Sequence, residues 1–296
     1  MTTPTHAAIA RVGFVGLGRM GGAMFGCVVE AGFPCAAFDV RSEAARPFAD
    51  RGDVVAAGSP AELASSCDVV DVVVNTDQQV LDACLGDEGL LEGARAGTVV
   101  LIHSTISLDT LRAVATAAAP VGVQVLDAPV SGRWGHRSAG DLCVMVGGDS
   151  HAFQRARPVL DAFGGLVLYL GALGSGLDTK LALNLTRYLT MMATREAMDL
   201  LAAAGVEAPF VEILEYTGAL EIPGHPRNGP PPNPRIPLDD RDAVRLENNA
   251  ATARKDLRAA VARGAELGVD LVTAAHTIQT IHGFWGSAVP ADPAVD

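Results

Sequence analysis

Three glycines and one lysine give the first indications of chemistry. Gly16, Gly18 and Gly21 form the pattern G-x-G-x-x-G within RVGFVGLGRMGGAM, directly after the apolar run containing Val12, Phe14 and Val15 and at the start of an apolar helical stretch. That spacing suits a turn that cradles a pyrophosphate: the first glycine permits the tight turn, the second lets backbone approach the anion, and the third lets the helix pack on the sheet. An ordinary glycine-rich turn uses the same residues, so the neighbours decide. Asp39 ends the next strand-like run, PCAAFDV, at the distance of about 20 residues where an acid binds the adenosine ribose of a dinucleotide. Its alternative role is to cap the following helix. A ribose-binding carboxylate repels a 2′-phosphate and favours NAD, while Arg41 leaves NADP open.

Lys180 stands four residues before Asn184 near the start of the run KLALNLTRYLTMMATREAMDLLAAA, so a helix places both on one face. Hydride transfer from an alcohol needs a group that takes the hydroxyl proton as the carbonyl forms. A lysine, with a free pKa of about 10.4, does this near neutrality when it is desolvated or set beside another cation. Taken alone, Lys180 reads as a solvated residue on a helix surface.

The elements that must position these residues follow from periodicity. Short apolar or β-branched runs recur at 68–75, 97–103, 123–129, 142–148 and 166–171, separated by helical segments such as SPAELASS, SLDTLRAVATAAA and SHAFQRARPVLDAFG, the last two opening at serine caps. This alternation predicts an α/β fold with a mainly parallel sheet covered on both faces, and ligands beyond the carboxyl ends of its strands. From residue 173 the pattern becomes helical: a long helix to about residue 204, then helices over 209–217, 238–267 and 269–282. The proline-rich stretch Glu221 to Pro237 reads as a surface loop or linker. Two domains are expected, residues 1–172 and 173–296.

With 296 residues and 49% hydrophobic content the chain can bury a large core. A net charge of −12 argues against nucleic acid or an anionic membrane surface as partner. Five scattered cysteines lack C-x-x-C or histidine–cysteine metal spacing and read as reduced core residues of a cytoplasmic protein, with no metal expected. No apolar run reaches a membrane span, and the first ten residues do not read as an export signal.

Five stretches in order along nearly the whole chain resemble the 3-hydroxyisobutyrate dehydrogenase family, the β-hydroxyacid dehydrogenases. They are GFVGLGRMGGAM, HSTISLDT, DAPVSG, GSGLDTKLALN and ARKDLRAAVARGAELGVD. The resemblance implies a Rossmann domain followed by a helical domain, oxidation of a hydroxyl β to a carboxylate in a small anionic substrate, and a homodimer or homotetramer. It assigns Lys180 as the acid/base and Ser131 with Gly132 as the carboxylate site, with Asn184 beside the substrate. It sets Gly16, Leu17, Gly18, Arg19, Met20, Gly21, Asp39, Asn75, Thr76, Thr105 and Lys255 on the cofactor, and places Ser104 near the nicotinamide. Asp127 and Pro129 are expected to shape the strand exit, and His103 to be a satisfied strand-end histidine.

Two departures bear on the substrate. Relatives commonly have a second glycine after DxPVSG where this chain has Arg133 and Trp134, and the usual Asn-Asn pair after the lysine is Leu183-Asn184. Arg133 follows the carboxylate site directly; its planar fork could pair with a carboxylate, or it could be a solvated loop residue. Two other functions are compatible with the architecture: an imine reductase, which generally has another residue at the lysine position, and a scaffold without catalysis, for which Lys180 or Ser131 would be replaced.

Overall fold

The computed structural model describes residues 9–48, 51, 53–132, 139–217, 261, 265 and 268–284. Strand β1 (Val12–Val15) leads through the glycine turn into α1 (Arg19–Glu30), followed by β2 (Cys35–Phe38), the short β3 (Val54–Ala56) and α2 (Pro60–Ser66). Next come β4 (Val69–Val72), α3 (Asp77–Leu85), α4 (Leu90–Gly93), β5 (Val99–Ile102), α5 (Leu108–Ala118), β6 (Gln124–Asp127) and β7 (Val130–Ser131). Strand β8 (Leu142–Gly147), α6 (Ser150–Phe163) and β9 (Gly164–Gly171) complete this part, and α7 (Ser175–Ala203) leaves it.

Strands β3, β2, β1, β4, β5 and β6 lie side by side in that order and run parallel. Strand β8 joins antiparallel to β6 and to β7, and β9 pairs parallel with β8. The order reverses between β1 and β4, and such a switch opens a crevice at the carboxyl ends of the strands. Strands β1, β4 and β5 are buried at every position, as expected for a sheet covered on both faces. One core, containing Phe14, Met24, Phe25, Leu101 and Phe163, packs against α1 and α6. The other, containing Leu63, Val80, Ile102 and Leu111, packs against α2, α3 and α5. Each such buried side chain contributes about 1.5–3 kcal/mol relative to exposure.

Caps set the helix starts. Ser59, Thr76 and Ser107 accept the amides of Glu62, Gln79 and Thr110 at the starts of α2, α3 and α5. The serine cap expected for α6 is corrected: Asp149, in extended conformation, accepts the Ala152 amide at 2.8 Å and leaves Ser150 as the first helical residue. Strand β3, with one half-buried and two exposed residues, was too short and too polar in its setting to be expected from periodicity.

The chain divides into two units, Met1–Leu183 and Asn184–Asp296, with the division inside α7. In the second unit the described residues form helices: the rest of α7, α8 (Phe210–Thr217) and α9 (Val272–Phe284), with no strand among them. The Glu196 carboxylate on α7 accepts the amides of Thr273, at 2.7 Å, and Ala274 at the start of α9. The proline-rich stretch 221–237 lies outside the described residues, as does the helix expected over 238–267 apart from Val261 and Ala265, both helical.

Candidate active site

A groove of about 860 Å³ lies at the carboxyl ends of β1, β2, β4 and β5. Its walls include Gly16, Gly18, Arg19, Met20, Gly21, Asp39, Asn75, Ser104 and Thr105. The three glycines differ in what they allow. Gly16 has φ +94°, which only glycine adopts readily, and a Cβ there would collide with the Val73 carbonyl. A Cβ at Gly21 would strike the Gly16 carbonyl, so that glycine sets how closely α1 approaches the turn. Gly18 has nothing within 4 Å of its Cβ position, which opens into the groove. That open space at a helix N-terminus fits the pyrophosphate of a dinucleotide.

Asp39, at the exit of β2, has a side chain only 7% exposed. One carboxylate oxygen accepts the Leu17 amide at 2.7 Å; the other accepts the Arg41 amide at 2.9 Å and the Arg41 guanidinium at 3.2 Å. Burial works to raise this carboxyl, but the two amides and the guanidinium outweigh it and hold the group below the ordinary aspartate range. The carboxylate therefore joins the glycine turn to β2 and organises the turn after it, combining the ribose-acid position with local capping. Leu17 contributes its amide, while its side chain is buried in the core. Thr76 caps α3 and is not among the residues lining the groove.

The other end of the groove is built from the exits of β4, β5 and β6. The Ser104 hydroxyl donates to the Val74 carbonyl at 2.7 Å and accepts the Val74 amide at 3.1 Å, holding two neighbouring exits together. Asn75, Thr105 and Val130 line this end, and Ser131 follows Val130 directly.

Asp127, wholly buried at the end of β6, aims its carboxylate at the start of α7. It accepts the amides of Gly174 at 2.7 Å and Leu177 at 2.8 Å, satisfying donors that a helix start otherwise leaves unpaired. Lys180 follows Leu177 by three residues and is only 8% exposed. Its ammonium acts on the Cys143 thiol, which burial pushes up and Lys180 pulls down. Cys143 on β8 stands directly opposite Ser131 on β7 in the antiparallel register. Cys143 thus pairs with Ser131 in the sheet and lies within electrostatic reach of Lys180. Asn184, one helical turn beyond Lys180 on α7, is half-buried. Arg133 and Lys255 lie outside the described residues.

The NAD binding domain of 6-phosphogluconate dehydrogenase matches residues 11–171. The chain is similar to an uncharacterised oxidoreductase of Mycobacterium tuberculosis (33% identity over 298 residues, 98% of each chain). It is also similar to the NAD-dependent L-serine dehydrogenase of Pseudomonas aeruginosa (36% over 229 residues, 74% of this chain and 76% of the other). The solved structure of Mycobacterium tuberculosis 3-hydroxyisobutyrate dehydrogenase with L-serine superposes with a TM-score of 0.63 at 30% identity, covering 96% of this chain and 97% of that one. The chain belongs to the 3-hydroxyisobutyrate dehydrogenase family. As a member of that family it is an NAD(P)-dependent oxidoreductase with an amino-terminal Rossmann domain.

Two residues beside these positions escaped the sequence reading. Cys143 is a half-buried cysteine in an apolar strand, and only the β7–β8 register places it opposite Ser131. Asp71 had a visible signal, one acid inside the apolar run DVVDVVV, and it is wholly buried against His103. Among the described residues no helix is long and apolar enough to cross a membrane, and no group of three or more histidine, cysteine or acidic residues could hold a metal ion.

Proposed function

We propose that this protein oxidises a small β-hydroxyacid at its hydroxyl-bearing carbon, with NAD preferred over NADP. The observation that carries this reading is the buried Lys180 at the start of α7, within electrostatic reach of Cys143, whose strand partner Ser131 directly follows the groove residue Val130. Gly16 to Gly21, Asp39, Asn75 and Thr105 are the residues that would hold the dinucleotide; the family resemblance assigns Lys255 to it as well. Bound there, the nicotinamide supplies the hydride acceptor.

The hydroxyl and backbone amides around Ser131 and Gly132 hold the substrate carboxylate, leaving the neighbouring carbinol toward Lys180. The Lys180 amine takes the hydroxyl proton as the carbonyl forms, and returns it in the reverse direction. Asn184, on the same helical face, contributes an amide to the substrate's polar groups. Arg133 supplies a second cation for substrates with a further acidic group. The working form is a cytoplasmic homodimer or homotetramer.

Steady-state assays of a panel of small β-hydroxyacids, L-serine included, with NAD and with NADP test this reading through absorbance of the reduced cofactor. Turnover of at least one such acid is expected. Binding of dinucleotide without oxidation of any of them would overturn it.

A further inference from the structure

His103 extends from the end of β5 into the core side of the sheet, 4% exposed, with its ring edge-on to Phe163 of α6 at 5.6 Å between centroids. Both ring nitrogens are engaged. Nδ1 lies 2.7 Å from the Ala128 carbonyl, and Nε2 lies 2.7 Å from Oδ1 of Asp71. A carbonyl oxygen only accepts, so Nδ1 carries a hydrogen and donates it. One further proton then occupies the contact between Nε2 and Oδ1. Burial pushes the Asp71 carboxyl up against the pull of His103, which favours the carboxyl as the donor of that proton and Nε2 as its acceptor.

The surroundings make this pair unusual. Asp71 stands between Phe14 of β1 and Leu101 of β5 in the parallel register, where apolar residues would pack equally well. Its second oxygen, Oδ2, is buried without a hydrogen-bond partner. Two apolar side chains would remove the orphaned carboxylate oxygen but would leave the buried Ala128 carbonyl without its imidazole donor. The polar pair adds direction. It pins the Ala128 carbonyl to β4 through the imidazole, three residues before Ser131, and it does so from the residue preceding Ser104 and Thr105 in the groove wall.

We propose that His103 is a positioning residue, held in its Nδ1–H tautomer by Asp71, which fixes the backbone from Ala128 to Ser131 relative to the groove and so sets the substrate-carboxylate site. This rests on the assignment of Ser131 given above. His103 lines the groove and Asp71 pairs with Phe14 of β1, but the imidazole binds the Ala128 carbonyl, which leads into Ser131, directly, so the effect falls more heavily on the acid substrate than on the cofactor.

The test compares Asp71→Asn, whose side-chain amide can donate to Nε2 in place of the carboxyl, with the double variant Asp71→Leu/His103→Leu, which fills the core and removes the tie. Thermal midpoint, NAD dissociation constant, and kcat and KM for the best acid are measured on each. We expect the double variant to raise KM about tenfold or more with NAD affinity within about twofold, and Asp71→Asn to stay within about twofold of the parent throughout. An unchanged KM in a folded double variant, or an Asp71→Asn variant as impaired as the double, would overturn the proposal. Nitrogen-15 NMR of histidine-labelled full-length protein, without substrate, gives a readout independent of turnover and of whether the double variant folds. A protonated Nδ1 and an acceptor Nε2 are expected at His103 in both the parent and Asp71→Asn; the opposite tautomer in either removes the tie. Failure of the parent to oxidise any β-hydroxyacid, with the tautomer as expected, would count against the substrate assignment and leave the tie standing.

Discussion

The Asp39 carboxylate accepts the Leu17 amide at 2.7 Å, so the exit of β2 and the glycine turn after β1 are one hydrogen-bonded unit. The same carboxylate engages Arg41 through backbone and side chain, which keeps that guanidinium on the acid.

Cofactor choice follows from this arrangement. kcat/KM should favour NAD over NADP by roughly tenfold or more, the scale of one charged hydrogen bond lost. Because Asp39 sits below the ordinary aspartate range, its contribution is present above that range and is lost only as pH falls through the depressed value. NAD affinity measured by calorimetry should therefore be level from pH 7 down to about 5, above the ordinary carboxylate range. A severalfold preference for NADP would mean that Arg41 leaves Asp39 and receives a phosphate.

The glycine turn offers a paired comparison. Gly16→Ala places a Cβ at φ +94° against the Val73 carbonyl and should destabilise the protein by about 1–2 kcal/mol or more. Gly18→Ala meets open space and should leave stability within about 0.5 kcal/mol while weakening NAD binding, because its methyl occupies the groove. Thermal unfolding and NAD titration separate the two effects; equal loss of stability in both would contradict the difference in their surroundings.

Lys180→Ala should lower kcat by roughly 10²–10⁴ with NAD affinity little changed, the contribution of one positioned proton-transfer group. Stopped-flow hydride transfer with the best acid is the measurement. Near-normal rates would assign proton transfer elsewhere.

Ser131→Ala should act mainly through KM. Loss of one hydrogen bond to a charged group corresponds to about 1.5–3 kcal/mol, or roughly 10–150-fold in kcat/KM for the acid. If the variant is unchanged on every carboxylate tested, the serine hydroxyl is not a substrate contact.

Alkali should expose the buried thiols. Burial pushes Cys35 and Cys84 up to about 12 and Cys67 to about 11, against an ordinary value of 9.0. With folded values above unfolded ones, their contribution is fully present below pH 9 and is lost as pH rises through 11 to 12. The thermal midpoint should fall above pH 9, and Cys→Ala variants at these sites should show a shallower fall. A thiol reagent at pH 8 should modify these three in the folded protein far more slowly than in the unfolded chain.

Much of the frame was legible because its signals are local. The glycine spacing, the run ending at Asp39 and the alternation of short apolar strands with capped helices each encode their own conformation within a few residues. What stayed hidden depends on long-range register. Cys143 matters only because β8 lies antiparallel to β7, and Asp71 meets His103, 32 positions further along the chain, only because β4 and β5 are neighbours. The α6 cap was misread because Asp149 and Ser150 are both good caps and backbone geometry, not residue type, chooses between them.

The buried carboxylate of Asp127 limits how this protein can be engineered. It closes the end of β6 and the start of α7 at once, and a Cβ added at Gly147 or Gly176 would come within 2.6 and 2.9 Å of its oxygens. Ser131 follows this junction by four residues on the β6 side and Lys180 follows Leu177 by three on the α7 side, so altering the junction would require rebuilding the backbone that leads to both. Redesign of the proposed acid site would do better to leave that junction intact.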